Sequence, residues 1–208
     1  MHAPSLTGFG DRRHLLSPAV DLDTHIADVV GLIETADLHD VVLVGHSYSG
    51  MVVTAVGDRI AERLRHVHYL DAFVPTDGES VYAIVGGLRP EMVDTLRSLV
   101  VTRGDGWRLP LPFPIEQFGL DPETDTWAGQ RFGDAPAAIM EGAVHLSGQP
   151  AAATDRSFLY CTENSNGLFT AMAERARRQG WHVSELAAAH GAALTHPDQV
   201  TDVLLSLA

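Results

Sequence analysis

The sequence predicts an α/β fold in which a mostly parallel sheet is flanked by helices. Short apolar runs typical of buried strands alternate with segments whose apolar residues recur at helical spacing. The 208 residues are 45% hydrophobic and 20% charged, which suits a single globular domain with its own core. A small-residue turn around a serine lies between a strand and a helix, a context that favours a catalytic site at this turn.

Residues 1–76 predict a loop followed by helix, strand, helix and strand. Apolar residues occupy one helical face over 23–36 and again over 50–61. The continuous apolar run 41–44 is typical of a strand covered on both faces of a parallel sheet. A second strand is expected at 66–70, where an aspartate and then a proline follow it.

Residues 77–152 differ in composition from the segments on either side. They contain seven of the eleven prolines and two of the three tryptophans, and proline is excluded from regular helix interiors and central strands. We expect short helices at 90–100 and 135–144. We interpret this segment as a helical cap inserted over a site; a second helical subdomain is the alternative.

Residues 153–208 return to the alternating pattern. They predict a strand at 157–161, a helix at 170–179, a strand at 181–186 and a final helix with Pro197 in its first turn. Alternating strands and helices indicate right-handed crossovers between parallel strands. Residues 1–76 and 153–208 are therefore expected to form one core.

Acidic residues outnumber basic ones by 27 to 14, for a formal charge of −13. This charge repels phosphate backbones and anionic lipid, so we expect neither nucleic acid nor a membrane as a partner. Cys161 is the only cysteine, which excludes an internal disulfide and favours an intracellular protein. The chain shows no leader and no apolar run of about 18 residues, so a soluble cytoplasmic protein is expected.

The turn at 45–50 reads Gly-His-Ser-Tyr-Ser-Gly and joins the strand at 41–44 directly to a helix. This context is typical of a nucleophile elbow, in which the glycines allow close packing and Ser47 is exposed above the sheet. The amide of Tyr48 at the helix start is the candidate oxyanion donor. The usual Gly-x-Ser-x-Gly pattern has Ser49 in its last place. A structural serine that caps the helix is the alternative interpretation.

A nucleophilic serine requires a base, and His190 is the best-placed histidine. It follows the strand at 181–186 by a short loop, at the sheet edge where ligands meet open α/β sheets. His196 precedes Pro197 and suits a helix start, and His46 lies inside the turn. A carboxylate must also orient the imidazole.

Asp71 and Glu163, each just after a strand, compete for the role of the acid. Asn164 could orient a histidine but could not balance its charge. His46, Trp107 and Trp127 are candidate substrate contacts, with packing as the alternative. Nothing in the pattern implies a metal or a cofactor.

Several motifs appear in a familiar order. They are Leu-Thr-Gly-Phe-Gly-Asp-Arg at 6–12, the turn at 45–50, Tyr-Leu-Asp-Ala-Phe-Val-Pro at 69–75, Cys-Thr-Glu at 161–163, and His190 with Thr-His-Pro at 195–197. The chain thereby resembles α/β-hydrolase proteins, most closely bacterial esterases related to plant methylesterases and hydroxynitrile lyases. The resemblance implies that Ser47 is the nucleophile and His190 the base. It places the usual acid at Asn164, so the role passes to Asp71, which we favour, to Glu163, or to no residue.

The resemblance also implies that strands before Met1 and a His-Gly loop with a second oxyanion amide are missing. The strand at 41–44 would then have an open apolar edge that a second copy of the chain could cover, or that a longer chain or another segment could fill. We expect hydrolysis of a small carboxylic ester, thioester or lactone through an acyl-enzyme, with weak activity. A degenerate binding protein is one alternative. A lyase is another, which the absence of lysine disfavours.

Overall fold

The computed structural model describes residues 1–111, 118–147, 154–164 and 167–207. The elements of these residues, in chain order, are a 3₁₀ helix at Gly10–Leu15, α1 Leu22–Thr35, β1 Val41–Ser47, α2 Ser49–Arg59, a 3₁₀ helix at Ala61–Arg63, β2 Leu64–Ala72, α3 Val81–Leu88, α4 Pro90–Arg103, β3 Arg108–Leu109, α5 Pro122–Gly129, β4 Ala135–Pro136, α6 Ala138–Glu141, β5 Asp155–Cys161, α7 Leu168–Arg178, β6 His182–Leu186, α8 Ala192–Thr195 and α9 Pro197–Leu205.

Among the described residues, four parallel strands form the main sheet, in the order β1-β2-β5-β6. Because all four run the same way, their carboxyl ends meet at one edge. That edge receives Ser47 from β1, Asp71 from β2 and the loop after β6. Within the described residues β1 is an outer strand of this sheet, and Val44 on it is 37% exposed.

Helices cover the sheet on both faces, as alternating residues of the central strands show. Tyr69 and Phe158 are fully buried in the larger core cluster, with residues of α1, α2 and α7. Their neighbours Leu70 and Leu159 belong to a second cluster, with residues of α8 and α9. Since successive strand residues point to opposite faces, the sheet lies between two helical layers, and the predicted fold class is confirmed.

The predicted helix at 135–144 is wrong over most of its length. Residues Ala135–Pro136 pair antiparallel with Arg108–Leu109, and only Ala138–Glu141 is helical. Proline offers no amide hydrogen and suits a strand edge better than a helix interior. The other predicted helices and strands lie where expected, with ends shifted by a few residues.

Between β2 and β5 the chain forms four helices and the two-stranded sheet of β3 and β4 within the described residues. Residues 112–117 and 148–153 of the expected cap lie outside the described part. The assignment of 77–152 as a cap stays a prediction. In the described ranges, no helix combines the length and the apolar character needed to cross a bilayer.

Candidate active site

Strand β1 ends in a strained turn at Ser47, which is half-buried. Its φ is +54°, a left-handed conformation that non-glycine residues rarely adopt and that costs on the order of 1–3 kcal/mol. The turn is held because the Phe73 amide donates a hydrogen bond of 3.0 Å to the Ser47 carbonyl oxygen. α2 begins immediately afterwards at Ser49, so Ser47 stands between a strand end and a helix N-terminus.

Two glycines make this turn sterically possible. A Cβ atom on Gly45 would lie 2.7 Å from a Val53 methyl group, and one on Gly50 would lie 2.0 Å from the Phe73 carbonyl oxygen. Both positions therefore require glycine. The turn accommodates Ser49 because the close approach to the end of β2 occurs one residue later, at Gly50.

Asp71 occupies an irregularity in the pairing of β1 with β2. The register pairs His46 with Leu70 and then Ser47 with Ala72, which leaves Asp71 as the extra residue. Asp71 also has a positive φ, +41°, and its side chain is completely buried. Bulges of this kind re-aim side chains next to functional sites, and here the bulge accounts for the direction of the carboxylate.

His190 joins the serine and the aspartate in one hydrogen-bonded series. Its Nε2 atom lies 2.9 Å from Ser47 Oγ, and its Nδ1 atom lies 2.7 Å from Asp71 Oδ2. When Nδ1 carries the proton and donates to the carboxylate, Nε2 is the acceptor for the serine hydroxyl. The structure thus brings together three of the residues that the sequence analysis selected.

Aromatic rings hold the His190 imidazole from several sides. Phe169 stacks on it with centroids 4.6 Å apart and an interplanar angle of 13°, and Phe118 lies 5.7 Å away. The Gly191 amide donates to the Phe118 carbonyl oxygen, which a Cβ atom on Gly191 would approach to 2.5 Å. Phe118 comes from the segment expected to form the cap. The sequence analysis missed both phenylalanines because their contact with His190 is purely tertiary.

His46 was expected to contact substrate, and the side-chain contacts described for it are with His190. Its Nε2–H donates to the His190 carbonyl oxygen at 2.9 Å, and the two rings are 4.5 Å apart. Burial, reinforced by the neighbouring His190, lowers the pKa of His46 to about 4. His46 is therefore neutral near pH 7, which keeps a second positive charge away from His190. Its role in substrate binding stays a prediction.

Two further groups among the described residues donate to the Asp71 carboxylate. Asn164 Nδ2 donates to Oδ2 at 2.9 Å, and the Cys161 amide donates to Oδ1 at 3.3 Å. Burial, together with Asp71, raises the pKa of the Cys161 thiol to about 12, so the thiol stays neutral. The other candidate acid, Glu163, has an exposed side chain. Asp71 is the carboxylate that accepts the hydrogen bond from His190 Nδ1.

Tyr48, the candidate oxyanion residue, is anchored through its side chain. Its hydroxyl donates to His25 Nδ1 at 3.0 Å, and His25 Nε2–H donates to the Thr7 carbonyl oxygen at 2.9 Å. Burial raises the pKa of the Tyr48 phenol and lowers that of His25, so both groups are neutral. Asp28 accepts hydrogen bonds from the amide and hydroxyl of Thr7. The residue after Ser47 is thus tied to the 6–12 motif.

The two tryptophans lie on the described surface of the expected cap. Trp127 is 49% exposed, with the Arg131 guanidinium 4.3 Å from its ring centroid. Trp107 lines a cleft of about 390 Å³ with Tyr82 and Arg97, and none of Ser47, His190 and Asp71 is among the described lining residues. Their contact with substrate stays a prediction. In the described ranges, no group of three or more His, Cys, Asp or Glu side chains is arranged to hold a metal ion.

Comparison with known proteins gives consistent results. The sequence profile of the alpha/beta hydrolase family matches residues 1–203. A carbendazim hydrolyzing esterase from Nocardioides sp. (strain SG-4G) is 34% identical over 210 residues, which cover 98% of this chain and 86% of that protein.

Solved structures share the fold at lower identity. An extracellular alpha/beta-hydrolase from a Paenibacillus species is 22% identical with a TM-score of 0.84, over 98% of this chain and 85% of that one. A mutant of polyneuridine aldehyde esterase is 16% identical with a TM-score of 0.78, over 100% and 87% of the two chains.

Proposed function

The chain belongs to the alpha/beta hydrolase family and is a carboxylesterase-like enzyme, and we propose that it cleaves esters of small molecules through an acyl-enzyme on Ser47. The observation that carries this proposal is the series Ser47–His190–Asp71, with hydrogen bonds of 2.9 and 2.7 Å. A hydroxyl, an imidazole and a buried carboxylate in this order are the parts that nucleophilic acyl transfer needs.

In the proposed mechanism His190 first acts as a base. Its Nε2 atom takes the Ser47 proton as Oγ attacks the ester carbonyl, and the protonated ring then gives that proton to the leaving alcohol. Water, deprotonated by the same ring, cleaves the acyl-enzyme and releases the acid. Asp71 keeps the ring in the tautomer that leaves Nε2 free and stabilises the imidazolium that forms.

The amide of Tyr48 is the proposed donor to the oxyanion of the tetrahedral intermediate. Its hydrogen-bonded side chain and the start of α2 fix this amide beside Ser47. Loss of one oxyanion donor costs on the order of 10²–10³ in kcat, so turnover should depend strongly on the position of this amide.

The proposed substrates are small and uncharged or cationic. The formal charge of −13 disfavours polyanionic ligands, and the rings of Phe118 and Phe169 give His190 apolar neighbours. The Nocardioides relative is a carbendazim hydrolyzing esterase, so carbendazim belongs in the substrate panel with p-nitrophenyl esters of short acids.

The test is reaction with a fluorophosphonate probe and hydrolysis of the substrate panel. The wild-type protein should be labelled on Ser47 and should hydrolyse at least one ester, whereas Ser47→Ala should lose both properties. Ser49→Ala, in the same turn, is the matched control and should retain them. An unlabelled wild-type protein that binds esters without consuming them would instead identify a binding protein and overturn the proposal.

The acyl-enzyme is tested separately, by rapid-mixing kinetics. An initial burst of p-nitrophenol, equal in amount to the active protein, is expected when deacylation is slower than acylation. Mass spectrometry of the quenched reaction should find the acyl group on the peptide that contains Ser47. A covalent adduct on another residue would contradict the mechanism.

A further inference from the structure

The buried carboxylate of Asp71 has a polar partner that the mechanism above does not use. We propose that Asn164 is a positioning residue, whose side-chain amide holds the Asp71 carboxylate in the orientation that presents Oδ2 to His190 Nδ1. This inference rests on the proposed function of the Ser47–His190–Asp71 series.

The geometry accounts for both oxygen atoms of the carboxylate. Oδ2 accepts from His190 Nδ1 at 2.7 Å and from Asn164 Nδ2 at 2.9 Å, and Oδ1 accepts from the Cys161 amide at 3.3 Å. The Asp71 side chain has no exposed surface, so protein donors must take the place of bulk water. An ionised carboxylate without such donors would be costly in this environment.

These contacts also restrict rotation of the carboxylate. The terminal torsion of an aspartate side chain has a broad energy minimum, so a single hydrogen bond to His190 would leave the group free to swing. The Cys161 amide restrains one oxygen from the end of β5, and Asn164 restrains the other from the turn that follows. That turn is closed by a hydrogen bond of 3.2 Å from the Asn164 amide to the Cys161 carbonyl oxygen.

The shared oxygen has a second consequence. Because Asn164 and His190 both bond to Asp71 Oδ2, the side chain at position 164 reaches the immediate neighbourhood of His190 Nδ1. A carboxylate at 164 and an amide at 71 would present the same pair of groups to the imidazole in exchanged positions. The acid and its amide partner are therefore expected to be exchangeable.

The first test removes the amide. Asn164→Ala should lower kcat about 10–100-fold, the range for loss of a hydrogen bond to a charged group, and should leave KM essentially unchanged. The melting temperature should also fall, because the buried Asp71 carboxylate loses one of its donors. Thr162→Ala is the control, because Thr162 is exposed on the same loop and its hydroxyl bonds to the Leu186 carbonyl oxygen instead. An Asn164→Ala protein with wild-type kcat would overturn the proposal.

The second test exchanges the two groups. Asp71→Asn alone should lower kcat by about 10⁴, as loss of a triad acid does in a serine protease. Adding Asn164→Asp should raise kcat about tenfold or more above that of Asp71→Asn, since a carboxylate again faces the imidazole. If the double variant folds but is no more active than Asp71→Asn, a side chain at position 164 does not reach His190.

A spectroscopic measurement separates this proposal from the proposed function. The proton between His190 Nδ1 and Asp71 should give a low-field NMR signal in the wild-type protein, whether or not esters are hydrolysed. The signal should shift or broaden in Asn164→Ala, disappear in Asp71→Asn and stay unchanged in Thr162→Ala. If the wild-type protein proved inactive while Asn164→Ala moved this signal, the esterase proposal would fail and the positioning role would stand. An unmoved signal would reject the role of Asn164.

Discussion

Single residues at this site are held in conformations that ordinary side chains avoid. Ser47 and Asp71 both have positive φ, a state that persists only where surrounding contacts over-determine it. Here the Phe73 amide and the pairing of Ala72 with Ser47 supply those contacts. The strain places a hydroxyl and a carboxylate on either side of one imidazole.

The choice between the two candidate acids gives a prediction at the level of one residue. Glu163→Gln should leave kcat within experimental error of wild type, because the Glu163 side chain is exposed and Asp71 supplies the bond to His190. Steady-state hydrolysis of a p-nitrophenyl ester, beside the impaired Asp71→Asn protein, measures this. A loss in Glu163→Gln comparable to that in Asp71→Asn would reassign the acid.

Among the elements, the junction of β1, α2 and β2 determines where Ser47 lies. The helix can start immediately after Ser47 only because Gly50 lets α2 touch the backbone at the end of β2. The bulge in β2 at the same level turns Asp71 toward the loop after β6. Strand ends and one helix start thus position the site.

Gly50→Ala should therefore lower the free energy of unfolding by about 1–3 kcal/mol or more, since its Cβ would overlap a rigid backbone oxygen. Gly87→Ala is the matched control within α3. A Cβ atom there meets nothing within 4 Å, and a helical Gly→Ala change should stabilise by roughly 0.5–1 kcal/mol. Urea denaturation of both variants measures the difference. If Gly50→Ala and Gly87→Ala changed the free energy of unfolding equally, the close approach of Gly50 to Phe73 would not be required.

The whole molecule buries several histidines in neutral form, which makes its stability depend on pH. Burial lowers the pKa of His25, and it lowers that of His46 and of His68 to about 4. Their pKa is near 6.5 in the unfolded chain. Below that value the unfolded chain binds protons that the folded chain does not, so stability is greatest above pH 6.5 and falls as the pH drops toward 4.

The expected loss is at most roughly 3 kcal/mol for each of His46 and His68. Chemical denaturation at pH 7, 5.5 and 4.5 should show the free energy of unfolding decreasing from each pH to the next. His68→Leu should make the free energy of unfolding depend less on pH, because it removes one of these buried histidines. The His68 side chain is 1% exposed, and its Nε2 atom has no hydrogen-bond partner among the described residues. A free energy of unfolding that stays constant or rises from pH 7 to 4.5 would contradict this account.

Cover of the β1 edge by a second copy of the chain stays a prediction. Val44 on that strand is 37% exposed, and an open apolar edge favours strand pairing between molecules. If two copies pair there, Val44→Lys should lower the dimer fraction in sedimentation equilibrium, since an edge lysine opposes pairing. A wild-type protein that stays monomeric at high concentration would dismiss this expectation.

The sequence by itself determined the fold class, the nucleophile candidate and the histidine candidate. Each of these predictions depends on local periodicity or on a short motif: an apolar run, a small-residue turn at 45–50, and a histidine soon after a strand. These signals can be recognised because apolar periodicity and turn composition are properties of residues that are close together in the chain.

Only the tertiary structure decided which carboxylate meets His190, and it gave Asn164 and His46 contacts that no motif predicts. The partners of Asp71 are 90 and more residues away along the chain, and its direction depends on a register shift between two strands. The short helix at 138–141 was likewise decided by pairing with a distant segment. Strand pairing and ring stacking join residues that are far apart in the chain, so no local sequence pattern predicts these contacts.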